Sequence, residues 1–462
     1  MNLLSLTALI LNALSISIQL LEVDCVKFTP HVTTVEESPR SAVGLMLFPL
    51  GHVWCNGKPM IYPNGHGGSN DTPRCLVTNY TGRFEDYNFK GSVWEERPQT
   101  KFGTKGDYHE AVSIDLNNDN VLDMVYLRGA RKGTGSSYQE IYITDPAEKV
   151  PVLLDEGYGL WIYTTMRTRF AATLKSADGS SLLMIVNHGG PRDDGRPNHH
   201  RIFKLTHPSP HEFLFVELPE PRPWAKETSA SSLKVADINK DGLDDIIVCN
   251  HDVPADIYIQ NKRGGFDSLD MSDVKDVWRN VRVADMDNDG INDLVVVGSG
   301  AVRNPKFRHG RKSYVQVFKG TRNYPFFNFT SIAGTYFKKE IRNSTPDVEI
   351  VDFNRDGIND MYVLQTDEKS FGSYCLGSKQ FNRSNFWPPE MKHPPEGWVP
   401  PLNKAKDLLF VGRLDEMKFS KKTIKIPKVG CGTRVQTFGN NHTLVLSQAQ
   451  VQRQGQTFLL QW

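Results

Sequence analysis

Four short acidic loops contain the residues of this chain that are best suited to binding a metal ion. Each loop has Asp at its first, fifth and ninth positions and Asn or Asp at its third. Hard cations such as Ca²⁺ take about six to eight oxygen ligands at about 2.3–2.6 Å, and a tight loop can supply them. Four copies in one chain exceed what chance would produce, so the sequence predicts up to four calcium sites. The predicted ligands are Asp115, Asn117, Asp119, Asp123, Asp237, Asn239, Asp241, Asp245, Asp285, Asp287, Asp289, Asp293, Asp352, Asn354, Asp356 and Asp360.

The surroundings of these loops are those of β-strands and differ from those of an EF-hand. An EF-hand needs a bidentate Glu at position 12 and a following helix. Position 12 is Tyr126, Val248, Val296 or Val363 here, so the Asp at position 9 is predicted to close each loop. Short apolar runs rich in β-branched residues precede and follow each loop, which indicates a strand–loop–strand unit.

Positions 6 and 7 also follow a pattern. Three loops have Gly at position 6, which permits a sharp turn, whereas the first loop has Asn120, a residue that tolerates the left-handed conformation. Position 7 is apolar throughout, so its carbonyl could ligate while its side chain packs inward. The alternative is a solvated acidic turn without metal, and the first loop favours this alternative more than the others do.

The spacing of the loops indicates a repeat. Successive first Asp residues are separated by 122, 48 and 67 residues, and the long gap contains a degenerate unit at Phe170–Val186. A second degenerate copy is predicted at Asp407–Gly412. A further unit around Ala42–Phe48 could be closed by the C-terminal strand Gln456–Leu460. Multi-stranded repeats of this period predict an all-β, seven-bladed β-propeller, with six units visible and the seventh inferred.

The loops and their flanking strands resemble the FG-GAP/VCBS repeats of integrin-α-type β-propellers over roughly residues 105–415. The order of intact and degenerate units is loosely similar to that of the cartilage acidic protein type. The resemblance implies a calcium-stabilised propeller with an extracellular recognition role, in which the sixteen residues above ligate calcium. Two features depart from it. Only Cys431 follows Cys375, which leaves no convincing EGF-like module, and a Phe-Gly pair precedes only the first loop, as Phe102-Gly103.

The N-terminal region indicates secretion. Residues 1–23 have the apolar character of a signal peptide, with a signal anchor as the alternative, and no later stretch is apolar enough to span a membrane. Residues 24–104, which contain the Cys55/Cys75 loop, are predicted to form a first blade or a cap, and residues 105–462 the propeller. Six glycosylation sequons favour a secreted glycoprotein. They are Asn70, Asn79, Asn328, Asn343, Asn382 and Asn441.

Six cysteines allow 15 pairings in an oxidising compartment. We expect a Cys55–Cys75 disulfide first, because it would close a loop rich in Gly, Asn and Pro. A Cys375–Cys431 disulfide is the second expectation. Cys249 ends a predicted core strand, where a buried thiol and a disulfide are both compatible with the sequence.

The charge balance and the motifs limit the classes of function that the sequence supports. Lys and Arg total 54 against 53 for Asp and Glu, which gives no case for nucleic-acid binding. The densest histidine region, residues 188–211, could hold a metal or acid–base site, although a polar loop is the favoured interpretation. The aromatic stretch Tyr324–Phe329 could line a binding surface or pack in the core.

These observations predict a secreted calcium-binding β-propeller glycoprotein. It would act as a recognition or adhesion scaffold for an extracellular protein or glycan, with calcium in a structural role and no membrane span after signal cleavage. The alternative is a carbohydrate-active lyase or hydrolase on a propeller scaffold, which the fold alone does not exclude.

Overall fold

The computed structural model describes the strands and most of their connections. The described residues are 31–37, 53–55, 74–77, 85–90, 93–96, 108–121, 123–128, 139–144, 151–154, 168–187, 199–209, 212–219, 221–226, 228, 230–251, 253–274, 276–298, 313–327, 329, 335–341, 343–366, 405–413, 418–426, 431–438, 442–449 and 454–461. Across these ranges the chain forms strands, turns and bends, and no helix. No membrane-spanning helix occurs in this part of the chain.

Twenty-eight strands make up the described structure. In chain order they are β1 (His31–Glu37), β2 (Val53–Cys55), β3 (Arg74–Val77), β4 (Glu85–Lys90), β5 (Val93–Glu96), β6 (Tyr108–Ile114), β7 (Asp123–Arg128), β8 (Glu140–Thr144), β9 (Pro151–Leu153), β10 (Thr168–Lys175), β11 (Ser181–Asn187), β12 (Arg201–Thr206), β13 (Leu214–Glu217), β14 (Ala230–Ala236), β15 (Asp245–Asn250), β16 (Asp256–Gln260), β17 (Phe266–Ser268), β18 (Trp278–Ala284), β19 (Asp293–Gly298), β20 (Ser313–Phe318), β21 (Thr335–Ile341), β22 (Ser344–Val351), β23 (Asp360–Thr366), β24 (Asp407–Arg413), β25 (Lys418–Ile424), β26 (Cys431–Phe438), β27 (His442–Ala449) and β28 (Gln454–Gln461).

The described strands form seven four-stranded antiparallel sheets. Six sheets are meanders of consecutive strands: sheet I (β2–β5), sheet II (β6–β9), sheet III (β10–β13), sheet IV (β14–β17), sheet V (β18–β21) and sheet VI (β22–β25). Sheet VII combines β26, β27 and β28 with β1 from the other end of the chain. First strands of successive sheets lie beside one another from β6 to β26, and β26 also contacts β2.

Apolar side chains pack between successive sheets. On β15, Ile247 and Cys249 pack against Trp278 of sheet V, whereas Ile246 and Val248 pack against sheet III. Successive residues of a strand point to opposite faces, so a strand between two sheets is apolar on both. This explains why β15 and β19 are buried at every position. The structure confirms the predicted all-β, propeller-type fold.

The structure corrects the prediction for Asp407–Gly412. This segment lies in β24, the third strand of sheet VI, where Met361 is opposite Phe410. It therefore belongs to the same sheet as the loop at Asp352 and is not a separate degenerate unit. The prediction failed because the apolar run of a third strand resembles that of a second strand. The degenerate unit at Phe170–Val186 does form a strand–turn–strand, made of β10 and β11.

The chain termini meet in sheet VII. Strand β28 contains the predicted closing segment, and its Leu460 lies opposite Val32 of β1. The partner that the sequence proposed for it, Ala42–Phe48, lies outside the described residues. In sheet I, Cys55 and Cys75 occupy opposite positions of β2 and β3. Cys249 is a buried free thiol.

Candidate metal centres

The four acidic loops connect the first and second strands of four sheets. Loop 1 (residues 115–123) lies in sheet II, loop 2 (237–245) in sheet IV, loop 3 (285–293) in sheet V and loop 4 (352–360) in sheet VI. The shortened loop of the degenerate unit (residues 176–180) takes the same place in sheet III. This is the placement that the strand–loop–strand interpretation predicted.

Loop 2 illustrates a hydrogen-bond pattern that all four loops share. Asp237 folds back over the turn, so that its Oδ1 accepts the N–H of Asp241 at 3.0 Å and its Oδ2 that of Gly242 at 2.9 Å. Asp241 Oδ1 in turn accepts the N–H of Leu243 at 2.9 Å. Loops 1, 3 and 4 repeat these contacts at 2.7–3.2 Å. The backbone therefore fixes the carboxylates of positions 1 and 5 before any cation binds.

The backbone of each loop adopts the left-handed conformation twice. Position 6 has φ values of +85°, +82° and +85° at Gly242, Gly290 and Gly357, and +63° at Asn120. The Gly or Asn at position 6 had predicted this left-handed conformation. The sequence had not indicated the same conformation at position 4, where φ is +58° to +61° although no glycine is present. These position-4 residues are Asn118, Lys240, Asn288 and Arg355.

The aspartates at position 9 are fully buried. In loop 3, Asp293 Oδ2 accepts the N–H of Met286, and its Oδ1 accepts that of Gly320, which follows the third strand. Loops 2 and 4 repeat both contacts, and loop 1 repeats the first. The position-9 aspartates therefore tie each loop to the rest of its sheet. In Asp245, Asp293 and Asp360, both carboxylate oxygens accept a backbone hydrogen bond.

Loop 3 brings three carboxylates close enough to share one ion. Oxygens of Asp285, Asp287 and Asp289 all lie within 4.8 Å of one another, and Asp293 is not part of this group. Loops 1, 2 and 4 have Asn at position 3, whose amide donates to the carboxylate at position 5 at 2.8–3.0 Å. An all-oxygen set of this kind suits a hard cation such as Ca²⁺ or Mg²⁺. The Asp triad could hold such an ion.

The pKa values of two position-9 carboxyls are consistent with a cation in the loops. Burial raises the pKa of Asp245 to about 7, and the charges of Asp241 and Asp237 act in the same direction against two backbone donors. The pKa of Asp360 is raised to about 7 for the same reasons. Without a cation, groups with a pKa of about 7 are only about half ionised at neutral pH. A divalent ion would offset both the burial and the repulsion, so the donor set fits a metal.

Sequence reasoning missed residues that link loops of neighbouring sheets. Asn292, at position 8 of loop 3, donates to the carbonyl of Asp237 in loop 2 at 2.8 Å. Asn359, at position 8 of loop 4, donates to the carbonyl of Asp285 in loop 3 at 2.7 Å. A polar residue recurs at position 8 of loops 2, 3 and 4, and this recurrence was the available signal.

Two glycines, one just after a third strand and one within a third strand, are also part of the loop environment. A Cβ on Gly320 would lie 2.0 Å from the carbonyl oxygen of Asn292, and one on Gly412 would lie 2.8 Å from that of Asn359. The loop backbone therefore approaches the third strand more closely than any side chain would allow. No pattern around the loops indicated these positions, because they are distant in sequence.

His200 and His207, two histidines of the region 188–211, do not share a site. His200 is buried at the start of β12, 3.0 Å from the hydroxyl of Thr228. His207 follows the same strand and donates to the carbonyl of Leu116 in loop 1 at 2.9 Å. The six residues of β12 separate them by about 20 Å. His188 and His211 lie outside the described residues.

The aromatic stretch Tyr324–Phe329 divides between core and surface. Phe327 is 1% exposed, and Phe326 and Phe329 pack against the core between sheets IV and V. Tyr324 is 63% exposed. The core interpretation is therefore correct for Phe326, Phe327 and Phe329, whereas Tyr324 lies on the surface.

A family model described as FG-GAP-like repeat matches part of this chain. It covers residues 237–296. The match contains loops 2 and 3 and supports the repeat family that the resemblance named, without reaching the cartilage acidic protein type. No curated protein matches the chain.

Solved structures similar to this chain include three with low sequence identity. The structure of BBS1N, in complex with ARL6DN and soaked with lead, has 10% identity and a TM-score of 0.42, with 94% of this chain and 98% of that chain covered. The WD40 domain of SCAP from fission yeast has 7% identity and a TM-score of 0.41, covering 84% and 82%. The AfRom2 CNH domain has 8% identity and a TM-score of 0.41, covering 94% and 99%. TM-scores of 0.41–0.42 and identities of 7–10% do not indicate what this chain binds.

Proposed function

We propose that this chain is a secreted calcium-binding β-propeller glycoprotein that recognises an extracellular protein or glycan. Loops 1 to 4 each bind one calcium ion through the sixteen predicted ligands. The ions have a structural role, because each fixes a turn between the first two strands of a sheet. Binding free energy at such sites becomes folding free energy.

The observation that carries this proposal is the repetition of one loop geometry in four sheets. In each loop the backbone N–H groups hold the carboxylates of positions 1 and 5 in the same orientation. These hydrogen bonds bring several carboxylates together in each turn, and a bound cation would offset the repulsion between their charges. At a calcium concentration 100 times the dissociation constant, each ion would stabilise the fold by about 2.7 kcal/mol.

The sequence supports an extracellular location. A signal peptide at residues 1–23 and six sequons favour secretion, and extracellular calcium modules bind with dissociation constants of about 10⁻⁴–10⁻³ M. The opposed positions of Cys55 and Cys75 favour the expected disulfide between them, since directly opposed strand residues have Cα separations of about 4.5–5.5 Å. That bridge would tie two strands of sheet I.

The experiment that tests the recognition role is a capture from the secretome and cell-surface proteins of the source. The purified, glycosylated chain would be immobilised in calcium and in EGTA, with one sample of the ligands pretreated with glycosidases. We expect calcium-dependent retention of a defined protein or proteoglycan, and the glycosidase arm distinguishes protein from glycan recognition. Retention of nothing by the folded protein would contradict the recognition role and justify a screen for polysaccharide cleavage.

A further inference from the structure

A lysine outside loop 3 brings a positive charge to its carboxylates. The ammonium of Lys319, which follows β20, contacts the carboxylate of Asp287 and lies 2.9 Å from Asp289 Oδ2. Both carboxylates belong to the triad that could hold a metal ion. The Asp287 side chain is only 4% exposed and Lys319 is 31% exposed, so the contact is largely shielded from water.

The other three loops bridge positions 3 and 5 differently. Their position-3 side chain is an Asn, and its amide donates to the position-5 carboxylate. Asp287 has no N–H to donate, so its carboxylate would face that of Asp289 with nothing between them. Lys319 supplies the missing donors and the missing positive charge at that place.

Strand register shows that Lys319 is specific to loop 3. Phe318 lies opposite Leu294, and the matching pairs in sheets II, IV and VI are Tyr142 with Met124, Tyr258 with Ile246, and Phe410 with Met361. The residue after the first member of each pair occupies the position of Lys319. In the other sheets this residue is Ile143, Ile259 or Val411. Lys319 and the additional carboxylate of Asp287 therefore occur together at loop 3, and neither has a counterpart at the other three loops.

We propose that Lys319 is a tethered cation that competes with calcium for Asp287 and Asp289. This inference rests on the proposed function, because it concerns regulation of one of the calcium loops. Calcium must release the ammonium from both carboxylates before it can use them, and the cost of that release lowers the affinity of loop 3. The same ammonium contact keeps loop 3 ordered when calcium is absent. The chain thus has one low-affinity calcium site between the two stronger sites of loops 2 and 4.

The degenerate unit in sheet III shows a related arrangement. Its turn keeps a single acidic residue, Asp178, whose partner is the ammonium of Lys204 on β12. There the other oxygen ligands are lost, and the remaining carboxylate contacts Lys204 and accepts hydrogen bonds from the N–H and hydroxyl of Ser180. Loop 3 is intermediate, because it keeps a full set of oxygen ligands together with a lysine.

The test compares Lys319→Met with Lys338→Met in the full-length chain. Lys338 is in the same sheet and pairs with Asp276 away from the loop, so it is the matched control. Melting would be followed in EGTA and across a calcium titration. We expect Lys319→Met to melt below the native chain in EGTA. We also expect calcium to stabilise this variant at a roughly tenfold lower concentration than the native chain, because calcium no longer has to break a charge-assisted contact.

A second variant keeps the test decisive if Lys319→Met does not fold. The double change Asp287→Asn with Lys319→Ile gives loop 3 the residues that loop 2 has at both positions. Calorimetric calcium titration of this variant should show the weakest native site moving into the tighter class. The inference is overturned if neither variant changes the calcium dependence while the native chain responds to calcium. If the native chain itself shows no response to calcium, the proposed function fails instead.

Discussion

At the residue scale, the loops depend on backbone conformations that few side chains tolerate. Gly357 has a φ of +85° with no atom near the place of a Cβ, so only the backbone conformation limits substitution there. Asn120 adopts a φ of +63° at the equivalent place in loop 1. Asn visits the left-handed region more readily than other non-glycine residues, whereas a β-branched residue is strained there.

We therefore expect Gly357→Val to destabilise the chain by about 1–2 kcal/mol and Gly357→Asn by a fraction of that amount. The measurement is chemical denaturation of both variants and the native chain in calcium. Gly357→Asn is the matched control, because it changes size and polarity at the same exposed place. Equal losses in the two variants would mean that backbone strain does not determine the effect.

Local residue patterns predicted part of the candidate site. The position-6 turn and the alternating oxygens depend on neighbouring residues, so the sequence shows them directly. Lys319 and Gly320 reach loop 3 from the segment that follows a third strand, and only the register of that strand brings them there. The left-handed position 4 carries Lys240 and Arg355, residues that give no turn signal.

At the scale of elements, neighbouring loops are joined by hydrogen bonds. Besides the contacts of Asn292 and Asn359, the Lys240 ammonium donates to the carbonyl of Gly290 at 2.6 Å, and Asn288 donates to that of Gly357 at 2.9 Å. Loops 2, 3 and 4 therefore form a continuous series across sheets IV, V and VI. Ordering of one loop should stabilise the next.

A double-mutant cycle between Asp285→Ala and Asn359→Ala measures this coupling. Asn359→Ala alone should cost about 0.5–1.5 kcal/mol, because it removes one partly buried hydrogen bond. In the Asp285→Ala background loop 3 has lost the two turn hydrogen bonds that Asp285 accepts. The cost of Asn359→Ala should therefore be smaller and the coupling energy at least about 0.5 kcal/mol. Lys338→Ala, which removes an exposed ion pair with Asp276 outside the loops, is the control. Purely additive losses would contradict coupling between loops 3 and 4.

Elements beside the loops were predicted more reliably than elements far from them. The apolar runs before and after each loop are first and second strands, as expected. Asp407–Gly412 was misassigned because third strands have the same apolar character. The pairing of β1 with β28 had no signal, since His31–Glu37 is largely polar and its partner lies at the other end of the chain.

At the scale of the whole molecule, buried polar contacts join sheets V, VI and VII, and the two ends of the chain pair within sheet VII. Asp347, which is 1% exposed, accepts hydrogen bonds from Asn280 of sheet V at 2.5 Å and from the N–H of Val435 of sheet VII at 3.1 Å. Arg282 of sheet V lies 3.2 Å from Asp347 and 2.9 Å from Glu349. This buried network joins sheets V, VI and VII through their first strands. The hydrogen bonds between loops 2, 3 and 4 join sheets IV, V and VI at the ends of their first strands.

The most direct test of the account is thermal melting of the full chain with calcium and after removal of calcium by EGTA. If calcium is a structural part of the loops, EGTA lowers the melting temperature and added calcium restores it, because the ions bind only the folded state. Asp285→Ala and Asp352→Ala should each remove part of that calcium-dependent stabilisation. An identical melting curve with and without calcium would contradict the assignment of the four loops as calcium sites.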